Sequence, residues 1–336
     1  MPDLIRRRML QAAAAAALAA SRAARAQGAD AIAVMTPFGF IGDFIDIMNA
    51  SSGGHFRRQG LDARVLAGRG TAQATQQLAT GSVQFIRAAS IDLMRAAGAP
   101  RPLPLVAIAT LYQASTFRLI SPAEKPVRSA AELRGRRVGV VSVGGSTEIL
   151  LDLMLHQAGL NREEVPREVT GNSPATLQMA RQGRMDCFIA SSEVAAALER
   201  AHEKIESWST DRYVPMPGQC YATTRDELSA RPDRVLRFLR AMRGSVNELL
   251  VGPLPPIFER AAKDFEISGI RNIDALCAAV EDARALWLAQ GRDNLLRNVP
   301  ALWEAGARAL NESGLARLPD PGRLYDNTLV DEALKG

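Results

Sequence analysis

Arg69 and Arg87 each follow a short apolar run that reads as a β-strand, and each stands just ahead of a helix start. At such a strand end a guanidinium can fork onto a carboxylate or a sulfonate. Six loops of this kind recur along the chain: Thr36-Pro37-Phe38-Gly39-Phe40, Gly68-Arg69-Gly70-Thr71, Arg87-Ala88-Ala89-Ser90, Ser142-Val143-Gly144-Gly145-Ser146-Thr147, Gly171-Asn172-Ser173 and Ala190-Ser191-Ser192-Glu193. Five of them carry Ser or Thr at or just before the predicted helix. A helix start presents unpaired N–H groups and the positive end of the helix dipole. Several starts converging on one crevice would cradle an anionic or strongly polar group. Any single Ser or Thr of the set also reads as a plain N-cap. The candidate ligand-binding residues are Thr36, Phe38, Phe40, Arg69, Thr71, Arg87, Ser90, Tyr112, Gly145, Ser146, Thr147, Asn172 and Ser191. Phe38, Phe40 and Tyr112 stand either as apolar walls or as core.

Patterns that carry catalysis are weak. Val138-Gly139-Val140-Val141-Ser142-Val143-Gly144-Gly145 is only loosely dinucleotide-like, because it lacks GxGxxG spacing and an acidic ribose partner. There is no GxSxG elbow, no GxxxxGK[ST] loop and no HExxH. His55 follows a Gly-Gly turn, His156 falls inside a predicted helix and His202 follows one, so all three read as surface or core residues. Asp43 and Asp46, one helical turn apart, stand either as an acid–base pair or as helix N-terminal charge. The three cysteines, Cys187, Cys220 and Cys277, are too far apart to suggest a metal site or a CxxC. The expectation is a protein that is not an enzyme and uses no cofactor or metal.

The elements that position the loops alternate. Strands are predicted over Ala31–Met35, Leu61–Leu66, Val83–Ile86 and Leu105–Thr110, and helices over Gly42–Ser51, Thr71–Thr80 and Ser90–Ala97. The pattern restarts after a Ser129–Glu132 capping box, with strands at Arg137–Val141, Val165–Val169 and Cys187–Ala190. Helices follow at Ser146–Ala158, at Ser173-Pro174 and at Glu193–Arg200. Such β-α-β-α order argues for two mostly parallel sheets with helices on both faces. Beyond about residue 225 only helices are expected, over Pro232–Val251, Pro256–Phe265, Ile273–Gln290 and Leu302–Ser313. In an open α/β sheet, ligands bind outside the carboxyl ends of the strands, where the six loops lie.

The chain has 336 residues, 47% hydrophobic and 23% charged, so it can bury a large core and is neither disordered nor a coiled-coil rod. Its N-terminus reads as an export signal. Arg6, Arg7 and Arg8 precede an alanine-rich stretch, and Ala24-Arg25-Ala26 supplies the small-x-small pattern for cleavage after Ala26. Arg6-Arg7-Arg8-Met9-Leu10 also resembles a twin-arginine motif, and an ordinary secretory route stands beside it. Residues 1–26 hold five arginines and one aspartate, which leaves 36 basic against 35 acidic groups beyond them, net +1. The overall +5 is therefore largely the leader's, and a broad basic surface for nucleic acid loses its support.

Several segments resemble a known family in its own order. Gly53-Gly54-His55-Phe56-Arg57-Arg58-Gln59-Gly60-Leu61-Asp62 is similar to the "G-x-F-x-x-x-G-L-D-V" segment of periplasmic substrate-binding proteins. Gly68-Arg69-Gly70-Thr71-Ala72-Gln73 resembles their next glycine loop, and Leu78-Ala79-Thr80-Gly81 their "L-x-x-G". Ala131-Glu132-Leu133-Arg134-Gly135-Arg136-Arg137-Val138-Gly139-Val140 is similar to "dLkGkkvgv", and Gln178–Cys187 to "al-x-x-G-x-vDa". Together they identify the nitrate/sulfonate/taurine and thiamine-precursor class of ABC-transporter binding proteins, over about residues 50–190. The resemblance implies an α/β, two-lobe type II periplasmic binding protein fold, with mixed, mostly parallel sheets and a helical C-terminal segment. It assigns 1–26 to a signal peptide, 27–112 plus 223–336 to lobe 1 and 113–222 to lobe 2, with crossing segments near Tyr112–Ile120 and Gln219–Thr224. The aromatic-rich segment with which pyrimidine-binding members hold thiamine precursors is missing. The expected function is capture of a small organic anion, a sulfonate or aromatic carboxylate, by a periplasmic monomer that delivers it to a membrane permease. A thiamine precursor or other heterocycle, or an exported enzyme on the same fold, are the alternatives.

Overall fold

The computed structural model describes residues 29–335. The expected leader, with its cleavage after Ala26 and its twin-arginine pattern, lies outside the described residues. Two five-stranded sheets carry the fold. The first holds β1 (Asp30–Thr36), β2 (Leu61–Ala67), β3 (Phe85–Ala89), β4 (Leu105–Thr110) and β10 (Gln219–Thr224), in the order β2-β1-β3-β10-β4. The second holds β5 (Phe117–Pro122), β6 (Val138–Val140), β7 (Arg167–Val169), β8 (Cys187–Ser191) and β9 (Ile205–Ser209), in the order β7-β6-β8-β5-β9. Within each sheet one strand runs antiparallel to both of its neighbours: β10 between β3 and β4, and β5 between β8 and β9. The remaining pairs are parallel. The two sheets therefore share one topology, with β1 and β6 in equivalent places.

Helices cover both faces of the first sheet. β4 is buried at all six positions, as a strand sandwiched between helical layers must be. α1 (Ile45–Ser52), α2 (His55–Arg58), α3 (Thr71–Ala79) and α4 (Ser90–Ala97) belong to the first half of the chain. α5 (Ser146–Gln157), α6 (Thr176–Arg181) and α7 (Ser192–Arg200) flank the second sheet. The C-terminal segment adds α8 (Arg225–Ala230), α9 (Pro232–Val251), α10 (Leu254–Ala261), α11 (Ile273–Trp287), α12 (Pro300–Glu312) and α13 (Thr328–Lys335). α9 opens with proline at its first position, where the missing N–H costs nothing. It then buries Val235, Phe238, Leu239, Met242, Val246 and Leu249, one stripe at helical spacing. Phe238 stacks on Phe85 of the sheet at 3.9 Å, which ties the tail to the first lobe. The free edge of β4 is closed by backbone bonds from Ala107 to Leu324 and from Thr110 to Leu296, which removes an exposed pairing edge.

Several local expectations differ. The predicted helix over Gly42–Ser51 begins as a 3₁₀ turn, Gly42–Phe44, before α1. Ser173 and Pro174 form a turn rather than the first helical residues, and α6 begins at Thr176. Ser129 makes no reciprocal capping box: its hydroxyl donates to the Glu132 carboxylate at 3.1 Å instead of accepting an amide. The stretches expected to cross between lobes supply the antiparallel strands β5 and β10. The chain passes between sheets in 111–116 and 210–218.

Candidate functional site

The loops after β1, β2, β6, β7 and β8 open onto one cavity of about 1190 Å³ between the two sheets. Nine of the thirteen residues expected from sequence line it: Phe38, Arg69, Thr71, Tyr112, Gly145, Ser146, Thr147, Asn172 and Ser191. The local reasons are plain. Phe38 and Arg69 form an antiparallel bridge that ties the β1 and β2 loops together. Gly68 lies so close to the Thr36 carbonyl that an added Cβ would overlap it. Asn172 and Ser191 exchange two bonds, Ser191 N–H to Oδ1 at 2.9 Å and Nδ2 to the serine hydroxyl at 3.1 Å. The Ser191 hydroxyl also caps α7 by accepting from Val194. Starts of α3, α5 and α7 thus all reach the cleft.

Four expected residues do not line it. The Thr36 hydroxyl is fully buried and donates to the Gly39 and Leu66 carbonyls at 2.7 and 3.3 Å. Phe40 turns away to pack edge-on against Phe265 at 5.0 Å. Ser90 is buried and donates to the Pro217 carbonyl, which fixes a crossing segment. Arg87 corrects the expectation of a cleft-facing cation: its side chain is 0% exposed and paired to Asp46. It lies over the rings of Tyr112, Phe44 and Tyr221 at 5.1–5.9 Å. Burial disfavours the charged guanidinium, but the carboxylates of Asp46 and Asp43 outweigh it and push the Arg87 pKa upward. Arg87 is a buried counter-ion, not a ligand for the cleft.

Sequence reasoning missed part of the lining. Asp43 stands at the floor, where Oδ1 accepts from the Tyr112 hydroxyl and Oδ2 from Gln219 Nε2 at 3.1 Å. Asp46 is one turn away but points to Arg87 and Tyr221, so the two acids do different work. Asp92 and Arg95 of α4 reach across to the second lobe, Asp92 accepting from Ser146 Oγ at 3.0 Å and Arg95 donating to the Gly144 carbonyl at 3.1 Å. Burial pushes the Asp92 carboxyl up, against the opposing pull of Ser146 and Arg95. Arg118 also lines the cleft, held by Ser207 at 2.7 and 2.9 Å. α11 closes one wall with Val280, Leu286 and Trp287, and its Asp282 pairs with Arg200 of α7. No short-range pattern in α11 marks it as a cleft wall. Arg69 remains exposed, and its guanidinium has no partner among the described residues. None of the described His or Cys residues lines the cleft. His55 is held instead by Glu248 and Arg58, both at 2.7 Å. Burial pushes the Cys187 and Cys220 thiols well up, which makes both inert.

The NMT1/THI5-like family model matches residues 42–253. Among solved structures, a protein of Bordetella bronchiseptica RB50 superposes with a TM-score of 0.66 at 18% identity, over 91% of this chain and 97% of that one. The alkanesulfonate-binding protein SsuA of Xanthomonas axonopodis pv. citri, bound to MOPS, gives 0.60 at 17% identity, over 90% and 97%. The periplasmic nitrate-binding protein NrtA of Synechocystis PCC 6803 gives 0.62 at 13% identity, over 91% and 88%. No curated protein sequence matches the chain. At these identities the structural likeness shows the fold, the two-lobe α/β architecture of periplasmic binding proteins. Since its model spans well over half of the residues, the chain belongs to the NMT1/THI5-like family.

Proposed function

We propose that the protein is the exported solute-binding subunit of an ABC importer, which captures an organic anion of aromatic size between its lobes and hands it to a membrane permease. The observation that carries the reading is Arg69, an unpartnered guanidinium beside the start of α3 in a cleft of about 1190 Å³. A charged donor next to a helix start suits a carboxylate or sulfonate. Ligand pockets for drug-sized molecules run to ~300–1,000 Å³, so the cleft suits an aryl carboxylate or sulfonate better than an inorganic oxyanion. Phe38, Phe117 and Val143 supply apolar wall for such a ring. Export through the residue 1–26 leader and a monomeric state belong to the same reading.

A thermal-shift panel of aryl carboxylates and sulfonates tests it. A bound anion stabilises by RT ln(1 + [L]/Kd), and the hits should lose affinity in Arg69→Ala. Loss of one charge-assisted bond costs ~1.5–3 kcal/mol, or about one to two decades in Kd. Stabilisation by uncharged compounds only, or unchanged affinity in Arg69→Ala, would reject the anion.

A further inference from the structure

Arg118, at the second position of β5, is a half-buried arginine that lines the cleft and makes no ion pair with another described residue. Only neutral oxygens hold it. Its Nε donates to Ser207 Oγ at 2.7 Å and its Nη2 to the Ser207 carbonyl at 2.9 Å. The strand register makes this possible. Arg118 pairs with Ser209 of β9, so Ser207, two residues away, stands on the same face of the sheet. Ser207 thus takes one edge of the planar guanidinium and fixes how its head is turned. The end edge stays free, because Nη1 bonds to no other described residue and keeps open surface. A guanidinium carries its N–H donors in a rigid fork, and its end edge grips a carboxylate or sulfonate through two parallel bonds. A partly desolvated charge whose partners are all neutral calls for an anion.

Arg118 and Arg69 stand beside different crossings between the lobes. Arg69 follows β2 and precedes Thr71, whose hydroxyl reaches Asp92. Asp92 in turn accepts from Ser146 of the second lobe. Arg118 shares its face of β5 with Ile120, which clusters with Val194 and Ala195 of α7. α7 meets α11 of the first lobe through Arg200 and Asp282. The two guanidinium groups therefore belong to different lobes and to different ends of the cleft. A single acidic group placed at Arg69 leaves Arg118 without a counter-ion.

We propose that the solute is a dianion with acidic groups at opposite ends of a rigid body, one met by Arg69 and the other by the free edge of Arg118. The proposal deepens the reading above and rests on the cleft being the solute site. Ser207 acts as a positioning residue that aims Arg118. Phe38 beside Arg69 and Phe117 beside Arg118 supply apolar wall for the body between the two acids. A diacid then engages a charged donor on each lobe, whereas a monoacid engages one lobe only.

Four probes test the idea by thermal shift and calorimetry at pH 7.5: benzoate, phthalate, terephthalate and biphenyl-4,4'-dicarboxylate. Terephthalate or the longer biphenyl diacid should bind at least about tenfold more tightly than benzoate, the worth of one added charge-assisted bond. Phthalate, whose two acids share one end of the ring, should gain less. Arg118→Gln should bring the favoured diacid down to the level of benzoate, with far-UV circular dichroism verifying its fold. Ser207→Ala, which keeps the arginine and its charge, should lose part of the diacid preference, and Ser207→Thr, which keeps the hydroxyl, should restore it. No diacid better than benzoate, or a preference that survives Arg118→Gln, overturns the second anion subsite. Phthalate binding as tightly as the long diacids overturns the two-ended arrangement. Benzoate binding that depends on Arg69 without any diacid preference sinks the dianion and leaves the solute cleft standing. Silence from all four probes overturns the dianion too, and the wider anion panel then judges the cleft by itself.

Discussion

Arg69 and Arg87 share a residue type and a place after a strand, and they differ in what the fold sets beside them. Arg87 is enclosed by Asp46, Asp43 and three aromatic rings, while Arg69 faces the cleft alone. Removing one member of a buried ion pair strands the other, so Arg87→Ala should lower stability by ~3–5 kcal/mol in urea denaturation. Arg69→Ala should leave the urea midpoint within experimental error, because its guanidinium makes no hydrogen bond or ion pair among the described residues. Equal stability losses in the two variants would contradict the assignment. Both arginines were legible as strand-end cations, but their fates were not. The partner that decides Arg87 lies 41 residues away in sequence, and no local pattern announces such a pair. Glu248 gives a second residue-scale outcome. Burial would push its carboxyl up, but hydrogen bonds from His55, Arg260 and Asn49 outweigh that and hold it down at about 2. A depressed carboxyl stabilises the fold above its ordinary pKa and loses that effect as pH falls from about 4.5 to about 2. Because Glu248 is partly exposed, Glu248→Gln should cost only on the order of 1–2 kcal/mol at pH 7. Thermal melts should show the gap closing toward pH 2.5.

At the scale of elements, the loops were easier to read than the partners they meet. Strands β1 to β4 and helices α3, α4, α5 and α9 carry local signals: apolar runs, capping residues and helical spacing. α8 carried one that went unread, since Thr224 caps it by accepting from Glu227 N at 3.0 Å in a Thr-x-x-Glu pattern. β5 and β9 had weaker marks. Phe117–Pro122 places Arg118 at its second position and ends in proline, and Ile205–Ser209 buries only Trp208. Their strand character comes from pairing on both sides of β5 rather than from composition. The β2–α3 loop is where element geometry bears on binding. Gly68 donates its N–H to the Thr36 carbonyl at 2.9 Å, and a Cβ there would overlap that oxygen and crowd Pro37. Gly68→Ala should therefore displace the loop that carries Arg69. The expected outcome is a Tm lower by a few degrees, corresponding to ~1–3 kcal/mol of overpacking, and a Kd for the best anion raised at least as far as Arg69→Ala raises it. A Kd untouched by Gly68→Ala would mean that loop position is immaterial to the site.

For the whole molecule, the two sheets are joined by two connecting segments that are tied to each other at one place. Gln113 Nε2 lies 2.8–2.9 Å from three carbonyls, of Thr110, Asn294 and Arg297, which share its two N–H donors and anchor the outgoing segment to the first lobe. Ser115 and Thr210 hydroxyls meet at 2.7 Å, which binds the outgoing and returning segments to each other. Across the cleft, Asp92 meets Ser146 and Arg95 meets Gly144 at one place, and Arg200 meets Asp282 at another. In this arrangement burial and the charges of Asp43 and Asp282 disfavour the ionised Glu193 carboxylate, with Arg200 opposing them. Together they push its carboxyl up from the ordinary 4.5 to about 7. If the two sheets part in solution and relieve that burial, acid should by linkage favour the arrangement described here. Small-angle scattering of the solute-free protein should show a smaller radius of gyration at pH 5.5 than at pH 8. Glu193→Gln, which carries no charge at either pH, should stay at the compact value throughout. A wild-type radius that is flat across this range, or a Glu193→Gln radius that follows the wild type, would separate closure from the charge on Glu193.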